Sequence, residues 1–257
     1  MHVGAVALVS LLLSAGVLLL ARDSSREAKI NDLRTAFVSG VSHELKTPIT
    51  LVRLYGETLL RHEDLPPEER REFYRIITRE SARLGRLVDQ VLSFSRIEQG
   101  ELKYDMKEGD LAPLVGGVVE DYREWLEHAG FVLRRTVPDI APPVCFDPVA
   151  VSQALVNLLD NAAKYSGSSR EIAVRLEALG DHVAVEVEDH GIGIAPAEQG
   201  KIFDRFYRSG GGTAQGGYGL GLFMVSHIMI VHGGRVEVDS ERGRGSRFRL
   251  VFPTTAT

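Results

Sequence analysis

Apolar residues recur at spacings of three and four from about Ser24 to Arg61: Ile30, Leu33, Phe37, Val41 and Leu45, then Val52, Tyr55, Leu59 and Leu60. That is the helical period. The run predicts one helix of roughly 57 Å. A small domain cannot cover such a length, so the helix should pack lengthwise on other helices. His62 to Pro67 is polar and closes on Pro66-Pro67, a break followed by a new start. A second periodic stretch carries Phe73, Ile76, Ile77, Leu84, Leu87, Val88, Val91, Leu92, Phe94 and Ile97. It predicts a helix from about Pro67 to Gln99, with Gly100 as its end. Two long amphipathic helices on a short loop make a helical hairpin. One hairpin cannot cover its own stripe, so pairing with a second copy into a four-helix bundle is expected, and with it a homodimer.

After Gly100 the pattern changes to alternating strands and helices. Leu102–Tyr104 and Val132–Val137 read as strands on either side of a helix from about Leu111 to Ala129. Asp147-Pro148 is a helix start, with Asp as cap and Pro at the first position, and the helix runs to about Tyr165. Ile172–Glu177 and His182–Glu188 form a hairpin across Leu179-Gly180-Asp181. A helix from Gly221 to Val231 precedes Gly233-Gly234 and the strands Arg235–Val238 and Arg247–Phe252. This order predicts a sheet with helices on one face, an α/β sandwich of about 150 residues.

The amino-terminal end follows neither period. Val3 to Ala21 runs nineteen residues without a charge, roughly 28 Å as a helix, about one hydrocarbon core. Arg22, Arg26 and Lys29 follow at once, which places the remainder of the chain in the cytoplasm by the positive-inside rule. A cleaved signal peptide is the alternative, but the basic start and short apolar core it needs are missing. The expectation is a single-pass protein of the inner (cytoplasmic) membrane with no extracellular sensor in this stretch of sequence. A net charge of −5 with no basic tract argues against nucleic acid as a partner. One cysteine, Cys145, excludes an internal disulfide or a cysteine-based metal site, and its neighbours suggest a plain packed thiol.

Four stretches carry candidate chemistry. In Phe37–Pro48 the apolar stripe passes through Val41 and Leu45, and His43 lies about 200° from both on a helix. It therefore faces away from the buried seam beside Glu44, as an ordinary solvated histidine on a helix also would. The zinc-protease pattern His-Glu-x-x-His fails because position 47 is threonine. Pro48 cannot bond to the carbonyl of Glu44 and should kink the helix. Asn157 and Asn161 lie one turn apart on a helix face, with Lys164 a turn further. Their amide oxygens suit a hard cation such as Mg²⁺, and the lysine suits phosphate, although a structural role for the asparagines stays open. Asp189-His190-Gly191-Ile192-Gly193-Ile194 ends a strand in a carboxylate able to accept from an exocyclic amine, followed by glycines that admit close approach; an ordinary Asp-Gly turn reads the same way. Arg208 to Gly217 holds five glycines in ten residues before Tyr218-Gly219-Leu220-Gly221-Leu222 opens a helix. Free amides there can cradle anionic oxygens and the glycines can make a mobile lid; a disordered surface loop is the alternative. Neither the Walker pattern nor Gly-x-Gly-x-x-Gly occurs.

Together these stretches resemble the bacterial sensor histidine kinases of two-component signalling, over essentially residues 30–253 and in the family's motif order. Phe37–Pro48 resembles the phospho-acceptor box, Asn157–Tyr165 the N box, Asp189–Ile194 the first glycine box, Phe203–Arg208 the F box and Gly217–Leu222 the second glycine box. The resemblance implies a Bergerat-type ATP-binding domain, shared with gyrase, a heat-shock chaperone and mismatch-repair ATPases. It implies that His43 is phosphorylated, that Glu44 acts as general base on it, and that Thr47 orients a water for dephosphorylating the partner. It implies Asn161 as the Mg²⁺ ligand and Asn157 as phosphate support. Lys164 and Arg208 would meet phosphate oxygens, Tyr165 would pack near adenine and Asp189 would bind its amine. Gly191, Gly193, Tyr207, Gly217, Gly219, Leu220 and Gly221 complete the implied nucleotide set. Two features depart from the pattern: His190 sits between Asp189 and Gly191, and the lid is unusually rich in glycine.

The fold expected is α + α/β: a transmembrane helix at 1–22, a dimerising helical hairpin at 23–101 and an α/β sandwich ATP-binding domain at 102–257. The function expected is a membrane-anchored kinase that phosphorylates His43 from ATP with Mg²⁺, passes the phosphoryl group to an aspartate of a response regulator's receiver domain, and also dephosphorylates that regulator. An ATP-driven conformational machine and a kinase-dead scaffold are the rival readings. Stimulus, regulator, and cis or trans transfer are not written in the residues.

Overall fold

The computed structural model describes residues 40–42, 45–62, 64–208 and 219–255. The expected membrane span, Val3–Ala21, lies outside them, and among the described residues no helix is long and apolar enough to cross a membrane. Residues 40–42 are helical, and helix α1 covers 45–61, continuing through the buried Pro48. Helix α2, Pro67–Glu98, begins with Pro67 at its first position and Glu68 and Glu69 in its first turn, and it ends with Arg96 in its last. Those charges oppose the ends of the helix dipole. Its stop is made by Gly100 at φ 69°. The Gly100 amide donates to the Ile97 carbonyl and the Glu101 amide to that of Arg96, so two otherwise orphaned carbonyls are satisfied. Tyr55 of α1 and Phe73 of α2 pack with their rings tilted at 43° and 4.9 Å between centroids, a contact between the two arms of the hairpin.

The second region runs β1 (Lys107–Gly109), α3 (Leu111–His128), β2 (Val132–Thr136), β3 (Val144–Phe146), α4 (Pro148–Tyr165), β4 (Glu171–Leu179), β5 (His182–Asp189), α5 (Pro196–Gln199), α6 (Gly221–Val231), β6 (Arg235–Glu241) and β7 (Gly245–Pro253). Five strands form one sheet in the order β2-β4-β5-β7-β6. Only the β2–β4 pair is parallel; β4–β5, β5–β7 and β6–β7 are antiparallel. Strands β1 and β3 make a separate antiparallel pair. Leu111, Val115 and Leu126 from α3 pack with Leu155, Leu158 and Leu159 from α4 over Ile172, Val174, Val183, Val185, Leu250 and Phe252 of the sheet. The other sheet face is charged: Arg175 bridges Glu186 and Glu188, Arg247 reaches Glu188, and Arg249 reaches Glu186. Alternation along each strand sends one set to the core and the other to solvent. The expected layer of helices on one face of a sheet is what forms.

Two local expectations are corrected. Leu102–Tyr104 is not a strand. The Asp105 amide donates to Asp147 Oδ2 at 2.7 Å, drawing the segment to the cap of α4, and pairing begins only at Lys107. Cys145 is exposed rather than packed, because β3 turns Val144 and Phe146 inward and the two-residue period sends the residue between them out. Strand β3 and helix α5, of three and four residues, are too short for a period to show in the sequence.

Candidate functional site

One end of the α/β region gathers the motifs. Helix α4 is started by Asp147, whose side chain accepts from the Val149 and Ala150 amides at 2.9 and 3.0 Å. The Asp147 amide in turn donates to Nε2 of buried His232, whose Nδ1 donates to the Ile228 carbonyl. This ties α4 to α6 and fixes the tautomer of a neutral imidazole, with burial lowering its proton affinity. So anchored, α4 turns Asn157 and Asn161 toward the first residue of α6. A Cβ at Gly221 would lie 3.9 Å from Asn161 Nδ2 and 4.0 Å from Asn157 Oδ1. The N box and the second glycine box therefore face each other, with the positive end of α6 between them. Lys164 stands 4.9 Å over the ring of Tyr165.

The first glycine box closes on the end of α4. The Ile192 amide donates to the Tyr165 carbonyl at 3.0 Å, and a Cβ on Gly191 would stand 2.0 Å from that same oxygen. Gly193, at φ 63°, is held as closely against the Glu241 carbonyl. Two residues that sequence reasoning missed pin the loop from below. Ser240 Oγ accepts from the Ile194 amide at 2.8 Å, and Gln199 Nε2 donates to the Ser240 carbonyl at 2.7 Å. No spacing signals such contacts, because they join a loop to a strand forty-odd positions away. Asp189 is 6% exposed, and burial pushes its carboxyl up to about 6 although the amides of Gly191 and Ser246 donate to it. A buried acceptor at the mouth of a glycine loop suits an amine-bearing ring.

The F box is joined to the second glycine box. The Phe206 amide donates to the Gly219 carbonyl, and a Cβ on Gly219 would meet the Tyr207 carbonyl at 2.5 Å. Phe206 itself holds φ 63°, a left-handed conformation that costs a non-glycine residue about 1–2 kcal/mol. Tyr207 donates its hydroxyl to Glu198 at 3.1 Å. Arg208 is exposed and Leu220 buried. Gly217 lies outside the described residues, as do His43 and Glu44. Thr47 is exposed on α1. Val41 and Leu45, which flank the histidine, pack with Leu87, Val91, Phe94, Phe206, Leu220 and Phe223. The α/β region thus sits on the hairpin through its F and second glycine boxes. Among the described residues no three His, Cys, Asp or Glu side chains converge as a metal site. A cation at this end would rest on amide oxygens and on the phosphates of its ligand. Asn157 Nδ2, buried without a hydrogen-bond partner, and the glycines pressed against carbonyls fit a ligand rich in anionic oxygens.

These elements define a two-helix hairpin followed by an α/β domain with a glycine-lined site at one end. Residues 33–100 match the family described as His Kinase A (phospho-acceptor) domain, and residues 146–256 match the family described as histidine kinase-, DNA gyrase B-, and HSP90-like ATPase. Similar proteins include the sensor protein SrrB of Staphylococcus aureus, 33% identical over 93% of this chain and 41% of that protein. The alginate biosynthesis sensor protein KinB of Pseudomonas aeruginosa is 32% identical over 93% of this chain and 40% of its own. The chain spans about two fifths of the length of these relatives. Among solved structures, full-length ShkA in complex with AMPPNP aligns with a TM-score of 0.59 and 26% identity over 88% of this chain and 47% of that one. The mycobacterial sensor histidine kinase MprB aligns at 0.51 and 29% identity, over 59% of this chain and 99% of its own. The chain belongs to the sensor histidine kinases of two-component signalling.

Proposed function

We propose that this chain is a membrane-anchored ATP:protein-histidine kinase working as a homodimer. In this reading residues 1–22 span the inner membrane, 23–101 form the dimerising phospho-acceptor hairpin and 102–257 bind ATP. The observation that carries it is the meeting of Asn157, Asn161, the Asp189 loop and the start of α6 at one end of the α/β region, behind a phospho-acceptor domain. The likeness to full-length ShkA, solved in complex with AMPPNP, supports nucleotide binding.

Asp189 accepts a hydrogen bond from the adenine amine, Tyr165 packs beside the ring, and Gly191 and Gly193 let the backbone approach it. Lys164, Arg208, Tyr207 and the amides of Gly217, Gly219, Leu220 and Gly221 line the phosphate path, with Asn157 supporting it. Mg²⁺, held by Asn161 and the phosphates, would neutralise their developing charge. A ring nitrogen of His43 attacks the γ-phosphorus. A P–N bond forms, the bridging β–γ P–O bond breaks, and ADP leaves with its electron pair. Glu44 takes the proton from the other ring nitrogen, so the attacking nitrogen keeps its lone pair. The phosphoryl group then passes to an aspartate of a response regulator, and Thr47 orients the water that later hydrolyses it.

Incubation with γ-labelled ATP and Mg²⁺ tests this reading. Acid-labile label on the parent and none on His43→Gln is expected; equal labelling rejects it. Asn161→Ala should lose the labelling while the dimer persists in sedimentation, and retained labelling removes Asn161 from the metal site.

A further inference from the structure

The dimerisation hairpin reaches into the candidate nucleotide site. Gln90 of α2 donates from Nε2 to Asn157 Oδ1 at 2.6 Å, a side-chain bond across 67 positions. Asn157 is only 2% exposed, and its Nδ2 is buried with no hydrogen-bond partner. The surroundings are one docking stripe along α2. Leu87 is buried against Leu220, and Val91 joins the same cluster. Phe94 packs edge-on to Phe206 at 5.3 Å and to Phe223 at 5.9 Å. Glu98 pairs with Arg205 at 2.5 Å. Positions 87, 90, 94 and 98 fall on one face of a helix, and that face touches the N box, the F box and the second glycine box together.

From this we infer that the docked arrangement is a resting state in which Gln90 latches the nucleotide site. The inference rests on the reading of that site as ATP-binding. Asn157 cannot support phosphates while its oxygen is bonded to α2 and its amide is sealed from solvent. Nucleotide and α2 compete for one carboxamide. The contact also seats the ATP domain on Val41 and Leu45. A docked domain therefore presents its phosphate end to Gln90. Release of α2 frees Asn157 and the domain in the same event, so ligand binding and undocking favour each other.

The test uses the full chain in detergent, with AMPPNP and Mg²⁺ titrated by calorimetry and autophosphorylation rates measured alongside. Gln90→Ala strips the docked state of its partner for a buried amide, so it should bind AMPPNP roughly three- to tenfold more tightly and label faster. Glu98→Arg sets two like charges together at the far end of the stripe and should tighten binding about twofold. Adding Arg205→Glu to Glu98→Arg restores the pair and should return affinity to the parental value. Both sites are on the surface, so the fold tolerates these changes. Unchanged or weaker binding in Gln90→Ala, or a charge swap that does not restore the parent, overturns the latch. Absence of AMPPNP binding in the parent and every variant rejects the nucleotide-site reading itself.

Discussion

Asp189 is expected to weaken the fold it serves, and Asp189→Asn separates the two effects. Burial pushes the Asp189 carboxyl from an ordinary 3.8 up to about 6, a difference worth about 3 kcal/mol against the folded state at neutral pH. The sign follows from proton binding. Between the two values the folded chain holds the proton more tightly than the unfolded one. Parental stability therefore rises as pH falls toward 4, and the cost is fully present only above about pH 6. Asparagine removes the buried charge but offers one acceptor oxygen where Gly191 and Ser246 both donate, and losing one bond returns about 1 kcal/mol. The net expectation at pH 7 is a gain of about 1–2 kcal/mol, or roughly 2–6 °C in Tm, vanishing near pH 4. Trp125 is the only tryptophan and lies on α3, so its fluorescence reports unfolding of this region alone. The same variant should bind ATP about tenfold less tightly or worse, having lost a charged acceptor for the adenine amine. Parental ATP affinity should fall about tenfold per pH unit below 6. A variant less stable than the parent at pH 7, or a gain independent of pH, refutes the burial argument. Unchanged ATP affinity at pH 7 removes Asp189 from the nucleotide site.

Two further outcomes follow from contacts in the same region. Gly191→Ala places a Cβ 2.0 Å from the Tyr165 carbonyl, backbone that cannot swing aside, so nucleotide binding should be lost and stability fall by about 3 kcal/mol or more; normal AMPPNP titration of this variant would contradict the close approach. Tyr122 donates its hydroxyl to the largely buried Asp160, so Tyr122→Phe should cost about 1–3 kcal/mol in urea unfolding followed at Trp125, and a neutral effect would show that water or Arg86 replaces the bond.

How much of this could be read from residues depends on the range of the contacts involved. The helices α2, α3, α4 and α6 announced themselves because caps and glycine stops are local: Asp147-Pro148 and Gly100 do in the fold what their spacing predicted. The β4–β5 hairpin was visible for the same reason, its turn marked by Gly180 at φ 63°. Strand β1 was misplaced because a long-range bond from Asp105 to Asp147 overrode local β-propensity. Within the site, Asn157, Asn161 and Asp189 were legible as residue types in a pattern, and the fold brings their elements together. Ser240, Gln199 and Gln90 were not, since an ordinary polar residue on a strand or helix carries no mark of what it will meet.

Helix α2 shows the same limit in its apolar residues. The sequence stripe was assigned to a single seam, the core of a paired bundle. In the structure it divides. Leu87, Val91 and Phe94 turn toward α1 and the ATP domain, whereas Val88 and Leu92, each about 100° further round, stay exposed with Tyr74 of the same helix and Ile49 and Leu54 of α1. An apolar arc that wide is more than one partner can cover. The covered part is occupied by the chain's own ATP domain, and the exposed part is the face that the proposed dimer would use. With a dimer interface on the adjacent face, the two could not be adjusted separately: any rotation of α2 that repacked the dimer would also move Gln90 against Asn157. In the proposed dimer, a rotation of α2 would therefore reach the candidate nucleotide site directly through Gln90.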